Sequence, residues 1–250
     1  MRIDVVTLFP EMVAQAAGFG VTGRARERGL WQLGTWNPRD YATDNHRTVD
    51  DRPYGGGPGM VMLPGPLVQA IRAAQAAQRE AGVVAPRTIH LTPAGTPLSH
   101  ARVVELARAT SAGYVLIAGR YEGIDERVVA SAVDEEIGVG DFVVSGGELP
   151  ALMLIDAIAR QLPGALNDAE SAEQESFVDG LLDCPHYTRP ETYEGMAVPP
   201  VLLSGDHAAI RRWRHAQALI RTAARRPGML AARTLTHEEQ QLLGSVDRCQ

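Results

Sequence analysis

Apolar positions come in short runs along this chain. Residues 2–9, 30–36, 87–91, 114–118 and 142–144 are rich in Val, Ile, Leu and aromatic side chains and too short for buried helices, so they predict strands, with 60–62 as a shorter candidate. Between them the period becomes helical. Pro10 and Glu11 open a helix that Gly18 closes, residues 22–28 form a short arginine-bearing helix, and residues 67–81 form an alanine-rich one ended by Gly82. Ser99 caps a helix running to about residue 109, and Asp125 starts another with acids in its first turn. Residues 148–162 place Leu149, Leu152, Met153, Ile155, Ala159 and Leu162 on a stripe expected to face a core. Strands alternating with helices predict an α/β domain, for which a Rossmann-like sheet is the ordinary expectation.

Two segments break this alternation. Residues 37–59, NPRDYATDNHRTVDDRPYGGGPG, have no period, and a connection longer than about 15 residues in a compact domain is usually functional. Pro163 and Gly164 end the 148–162 helix and lead into an acid-rich stretch that buries too little to offset its ordering entropy, which predicts a flexible linker over 166–175. Beyond it, LLDCPHYTRPETYEG is turn-rich. VPPVLLSGDH leads into a long helix capped by Ser204 or Asp206 and ended at Pro227, and Thr236 with Glu239 forms a capping box for a last helix. The predicted organisation is an α/β domain over 1–165, the linker over 166–175, and a smaller, mostly helical domain over 176–250.

Charge adds a second contrast between these parts. The net charge is −6, yet residues 205–235 hold seven arginines against the single acid Asp206, whereas residues 167–183 hold six acids and no base. Such asymmetry fits a basic patch for phosphates on an acidic protein. The chain has no lysine, which excludes a Walker A lysine, a pyridoxal-phosphate Schiff base and a kinase-type strand lysine. Cys184 and Cys249 are too few for a disulfide framework, and Cys184 with His186 lacks the further ligands of a zinc site. No apolar run approaches the roughly 20 residues that span a bilayer, and MRIDVVTLFP lacks the longer apolar region of a signal peptide, so a cytoplasmic protein is expected.

The densest chemistry lies in residues 114–151, YVLIAGRYEGIDERVVASAVDEEIGVGDFVVSGGELPA. Apolar runs there end in Gly119 and in Ser145, Gly146 and Gly147, and Thr92–Gly95 follows the run 87–91 in the same way; glycines at such ends let backbone groups approach a small ligand. The segments GRYEGIDERV, VGDFVVSGGELPA, DDRPYGGGPGM and LLDCPHYTRPE resemble the bacterial TrmD-type tRNA (guanine-N1)-methyltransferases, a branch of the SPOUT methyltransferases, in the right order and over nearly the whole chain. Two further readings of the residues stay open: a methyltransferase with another target, such as a ribose hydroxyl or another base nitrogen, and an RNA-binding module without activity.

The resemblance implies a SPOUT-type parallel sheet with a deep trefoil knot, S-adenosylmethionine as methyl donor, the anticodon stem-loop of tRNA as substrate, and a homodimer with active sites at the subunit interface. It implies cofactor contacts from Leu91, Pro93, Gly95, Gly119, Val139, Gly140, Asp141, Phe142, Val143, Val144, Gly146, Gly147 and Pro150. His90 stands where close relatives are expected to have tyrosine. Glu175 matches the general base, as a glutamate where the family typically has aspartate, and Arg160 matches the cation that stabilises charge on the base oxygen. Glu122 matches an acid tied to catalysis, with magnesium as a candidate ion. Asp50 and Pro58 match tRNA-binding positions of the 37–59 loop, and Asp183 and His186 match residues that read anticodon-loop bases. Arg211, Arg214 and Arg221 are the expected phosphate contacts, and the linker is expected to order when tRNA binds.

Overall fold

A computed structural model describes residues 1–109, 113–166 and 175–246. Five parallel strands form the central sheet in the order β2-β1-β6-β5-β7, with β1 Arg2–Val6, β2 Gln32–Trp36, β5 Arg87–Pro97, β6 Gly113–Ile117 and β7 Glu135–Gly138. All five residues of β6 are buried because helices cover both faces of the sheet, which is why the strand reads as a continuous apolar run. Ile3, Val5, Tyr114 and Leu116 point to one side, into a core with Leu106, Leu154 and Ile158. Val6, Val115 and Ile117 point to the other, where they meet Leu67, Ile71 and Val128. The helices of this part are α1 Pro10–Ala16, α2 Gly20–Glu27, α3 Pro64–Glu80, α4 His100–Arg108, α5 Glu126–Ala132 and α6 Glu148–Ala159. Ser99 and Asp125 cap α4 and α5 by accepting from the N–H groups of Arg102 and Arg127.

Several expectations are corrected. Residues 142–144 are not a strand: Phe142 is 54 % and Val143 83 % exposed, and the pairing with β5 is made instead by the charged segment EEIG of β7. An edge strand tolerates charge, and Glu135 and Glu136 are satisfied by Arg102, Arg87 and His90. Residues 92–95 do not end the fifth strand. They form a bulge, since Leu91 and Thr96 both pair with Ile137 and the strand runs on to Pro97. The 37–59 connection contains a 3₁₀ turn, Pro38–Tyr41, and a two-residue strand β3, Asp50–Asp51, paired antiparallel with β4, Val61–Met62. On α6 the predicted stripe holds at Ile155 and Ala159, with Leu162 just beyond the helix also buried, whereas Leu149 and Met153 are half exposed and Ala151, Leu154 and Ile158 are buried in their stead. The helix is apolar nearly all round, and the period alone does not select a face.

The chain divides into two compact units, Met1–Ala169 and Glu170–Gln250. The linker predicted over 166–175 falls largely on residues 167–174, outside the described residues. In the second unit the helices are α7 Pro200–Leu203, α8 His207–Arg225, α9 Pro227–Ala231 and α10 His237–Val246, with a small hairpin of β8 Thr192–Tyr193 and β9 Met196–Ala197. Leu219 and Ala218 of α8 pack on Leu181 and Cys184, with Leu230, Leu235, Leu242 and Leu243 around them. Asp206 caps α8 by accepting from the N–H groups of Ala208 and Ala209. The capping box forms as expected: Thr236 N–H donates to Glu239 Oε2 at 2.7 Å, and Glu239 N–H to Thr236 Oγ1 at 3.2 Å.

Candidate active site

In the first unit a cavity of about 310 Å³ opens where three glycine-bearing segments converge at the C-terminal ends of the strands. Leu91 and Pro93 come from β5, Gly119 and Glu122 from the turn after β6, and Val139, Gly140, Phe142, Val143, Val144, Gly146, Gly147 and Pro150 from the connection between β7 and α6. The second and third segments are bonded together: Gly147 N–H donates to Gly119 O at 2.8 Å, and Arg120 bridges with Gly146. A Cβ on Gly147 would lie 2.6 Å from Ala118 Cα, and one on Gly146 would overlap the Arg120 side chain, so the close approach requires glycine.

An ion pair fixes this junction. Glu148, fully buried at the first position of α6, accepts from Arg120 Nε at 2.8 Å and from Thr7 Oγ1 at 2.8 Å. The Arg120 guanidinium also donates to Ser145 O at 3.2 Å and lies 4.4 Å from the centre of the Phe9 ring. Three segments are thus tied by one buried carboxylate. Neither residue was singled out from sequence, where Glu148 reads as an ordinary acid in a first helical turn; its place directly after two close-approach glycines was the available signal.

Glu122 also lines the cavity, and its N–H donates to Met60 O at 2.9 Å. Tyr121, beside it, has a positive φ of 62°. Burial, then a hydrogen bond to Asp50 of β3, raises the pKa of its phenol. Gly95 and Asp141 do not line it. Gly95 packs the bulge against β7, where a Cβ would overlap Ile137 N, and Asp141 is exposed. Pro58 lies exposed in a loop with positive φ at Gly55, Gly56, Gly57 and Gly59.

A cavity of about 380 Å³ in the second unit brings together Glu175, Asp183, His186, Arg211 and Arg214. Asp183 organises it, accepting from His186 Nε2 at 2.7 Å and from Cys184 N–H at 2.7 Å. Burial pushes the Asp183 carboxyl up, but these hydrogen bonds outweigh it and leave its pKa below the usual value. Burial, then the Asp183 charge, pushes the Cys184 thiol up. Ligand atoms of Asp183, Cys184 and His186 lie within 4.8 Å of one another, yet a thiol held protonated and a carboxylate already hydrogen-bonded describe a local network better than a metal cradle. Arg221 differs from Arg211 and Arg214: it is half-buried and donates to Asp183 O at 3.1 Å, holding the segment in place.

The family profile described as tRNA (Guanine-1)-methyltransferase TrmD matches residues 1–232. The chain belongs to this family. A tRNA (guanine-N(1)-)-methyltransferase of Methylobacillus flagellatus is 60% identical over 247 residues, covering 99% of this chain and 93% of the relative. Those of Chromobacterium violaceum, 60% identical over 99% of this chain and 96% of the relative, and Aromatoleum aromaticum, 61% identical over 97% and 92%, are equally similar. Arg160, which the family resemblance marked, follows the last turn of α6 in the first unit, where the helix dipole favours a cation. Among the described residues, no helix is long and apolar enough to cross a membrane.

Proposed function

We propose that this TrmD-family chain transfers a methyl group from S-adenosylmethionine to N1 of the guanosine immediately 3′ of the tRNA anticodon. The observation that carries this reading is the single cavity where the glycine-bearing ends of β5, β6 and β7 meet. Its volume suits a small-molecule site, Gly119, Gly140 and Gly147 line it without side chains, and Phe142, Val143 and Val144 present apolar surface at its mouth. These features fit a nucleoside bound largely through main-chain groups. In this reading the cofactor supplies a methyl group made electrophilic by a sulfonium. The same segments are those that the SPOUT fold threads into its knot, and the proposal includes that threading.

Taking the N1 proton while charge grows on the ring oxygen calls for a carboxylate base and a nearby cation. Glu175 and Arg160 are assigned those roles. Asp183 and His186, in the cavity with Glu175, are assigned to reading bases, and Arg211 and Arg214, both exposed, to phosphates of the anticodon stem-loop. Asp50 and Pro58 would meet tRNA from the 37–59 loop. Magnesium would find one available carboxylate in the first cavity, Glu122, because Glu148 is engaged by Arg120 and Thr7. That matches an ion bound mostly through water and substrate oxygens.

Activity is assigned to a homodimer in the cytoplasm, with each active site at the subunit interface. Support comes from apolar surface on the first unit: Phe19 is 74 % exposed, and Leu149 and Met153 are about half exposed on α6, against which α1 and α2 pack. The deciding experiment incubates the protein with methyl-labelled S-adenosylmethionine and tRNA and maps the product. Label confined to N1 of the guanosine 3′ of the anticodon is expected. Label on a ribose or another base nitrogen, or cofactor binding with no transfer, would overturn the reading.

A further inference from the structure

The second ring nitrogen of His90 faces the first cavity with a defined hydrogen-bonding role. His90 lies in β5, in register with Ile117 of β6 and Glu136 of β7. It is 6 % exposed, and its Nδ1 stands 3.0 Å from Glu136 Oε1. An ionised carboxylate only accepts hydrogen bonds, so Nδ1 holds the proton and donates. In a neutral imidazole Nε2 is then an acceptor. Burial lowers the pKa of His90 and outweighs the raising influence of Glu136 and Glu126, which favours the neutral ring near pH 7.

Among the described residues, no side chain or backbone group partners Nε2. The described polar side-chain atoms that are both unpartnered and shut off from solvent are Gln78 Oε1 and Arg233 Nη1. His90 Nε2 is not one of them, so it keeps an opening. The cavity provides it: His90 lines the wall, and a Cβ on Gly119, another lining residue, would lie 3.3 Å from Nε2. The charged groups sharing that wall are Arg120, held by Glu148, and Glu122.

We propose that His90 Nε2 accepts a hydrogen bond from an N–H or O–H donor on the nucleoside of the bound cofactor, and so makes His90 a specificity-determining residue of the cavity. This rests on the reading of the cavity as the S-adenosylmethionine site. The nucleoside offers two sources of such a donor, the exocyclic amine of adenine and the ribose hydroxyls. A ligand lacking the donor leaves a nearly buried acceptor unpaired, and that unpaired atom is what the site discriminates against.

The test is calorimetry on the full chain with S-adenosylhomocysteine, its hypoxanthine counterpart, in which a carbonyl replaces the amine, and its 2′-deoxy and 3′-deoxy counterparts. The parent protein is expected to bind one of the altered ligands more weakly because it lacks the donor that meets His90. His90→Phe, which keeps a ring but removes the acceptor, should shrink that one preference by about tenfold, a typical value for a hydrogen bond to a buried partner, and leave the others unchanged. Glu136→Leu, at a partly exposed position, removes the acceptor that holds the proton on Nδ1, so the ring can carry its proton on Nε2, and it should reduce the same preference with His90 in place; it decides the matter if His90→Phe does not fold by thermal unfolding. Equal weakening for all four ligands, or unchanged preferences in both variants, would overturn the proposal. A parent protein that binds none of the four overturns the cofactor reading instead.

Discussion

Arg120 and Glu148 are 28 positions apart in the chain, yet their side chains meet at 2.8 Å and hold the turn after β6 to the start of α6. Glu148 is fully buried, so removing either partner leaves an uncompensated buried charge or an unfilled acceptor pair. Glu148→Ala is expected to cost about 3–5 kcal/mol of stability. Glu148→Gln should cost less and still weaken S-adenosylhomocysteine binding, because Gly146 and Gly147 shift when the Arg120 guanidinium is released. Chemical denaturation and calorimetry check both. Parent-like binding by the Gln variant would show that the pair supports the fold without shaping the cavity.

Glu175→Gln preserves size and removes the proposed base. Single-turnover methylation should fall by roughly 100-fold or more with tRNA and cofactor affinities retained. A Gln variant that methylates at the parent rate would move the base to another acid, and Asp179, in the same cavity, is the first to examine.

The arginines of α8 are expected to separate into two kinds. Arg211→Ala and Arg214→Ala should each weaken tRNA binding and lower its salt slope by up to about one per lost phosphate contact. Arg221→Ala should instead loosen the Asp183 segment, since its guanidinium holds the Asp183 carbonyl. Faster amide exchange around residues 182–186 would register that difference. An unchanged exchange rate there, with a lowered salt slope, would return Arg221 to the phosphate-binding set.

Glu239 links α10 to the rest of the second unit by accepting from Arg233 at 2.8 Å and pairing with His215 at 3.0 Å. Burial pushes its carboxyl up, but Thr236 N–H, Arg233 and His215 outweigh this and lower the folded pKa below the usual 4.5. A lowered folded value means that the stabilisation is present above the unfolded pKa and is lost as pH falls through the folded one. Glu239→Gln should therefore differ from the parent at neutral pH and converge with it in acid, as followed by denaturant unfolding across pH. A constant difference down to strong acid would contradict the assignment.

Leu149→Glu with Met153→Glu should separate the proposed homodimer, because two charges would enter an apolar contact. Sedimentation should show monomers, and methylation should be lost while cofactor binding persists. A double variant that remains dimeric places the interface elsewhere.

Local signals and resemblance brought much of the molecule within reach of the sequence. Caps at Ser99, Asp125 and Asp206 and the box of Thr236 with Glu239 were legible because each involves bonds within three residues of the helix start. Gly119, Gly146 and Gly147 stood out because the lack of a Cβ is a local property with one common use. The tertiary structure alone decided features that depend on what a residue meets at a distance. EEIG became the edge strand β7 because Arg102, Arg87 and His90 satisfy its acids at the sheet edge, while the more apolar 142–144 went to the cavity mouth. Leu149 and Met153 fell outside the core because the neighbouring helices occupy the opposite side of α6. The orientation of His90 and the pairing of Arg120 with Glu148 arise only when the ends of β5, β6 and β7 are side by side, since a hydrogen bond between such separated residues leaves no periodicity in the chain.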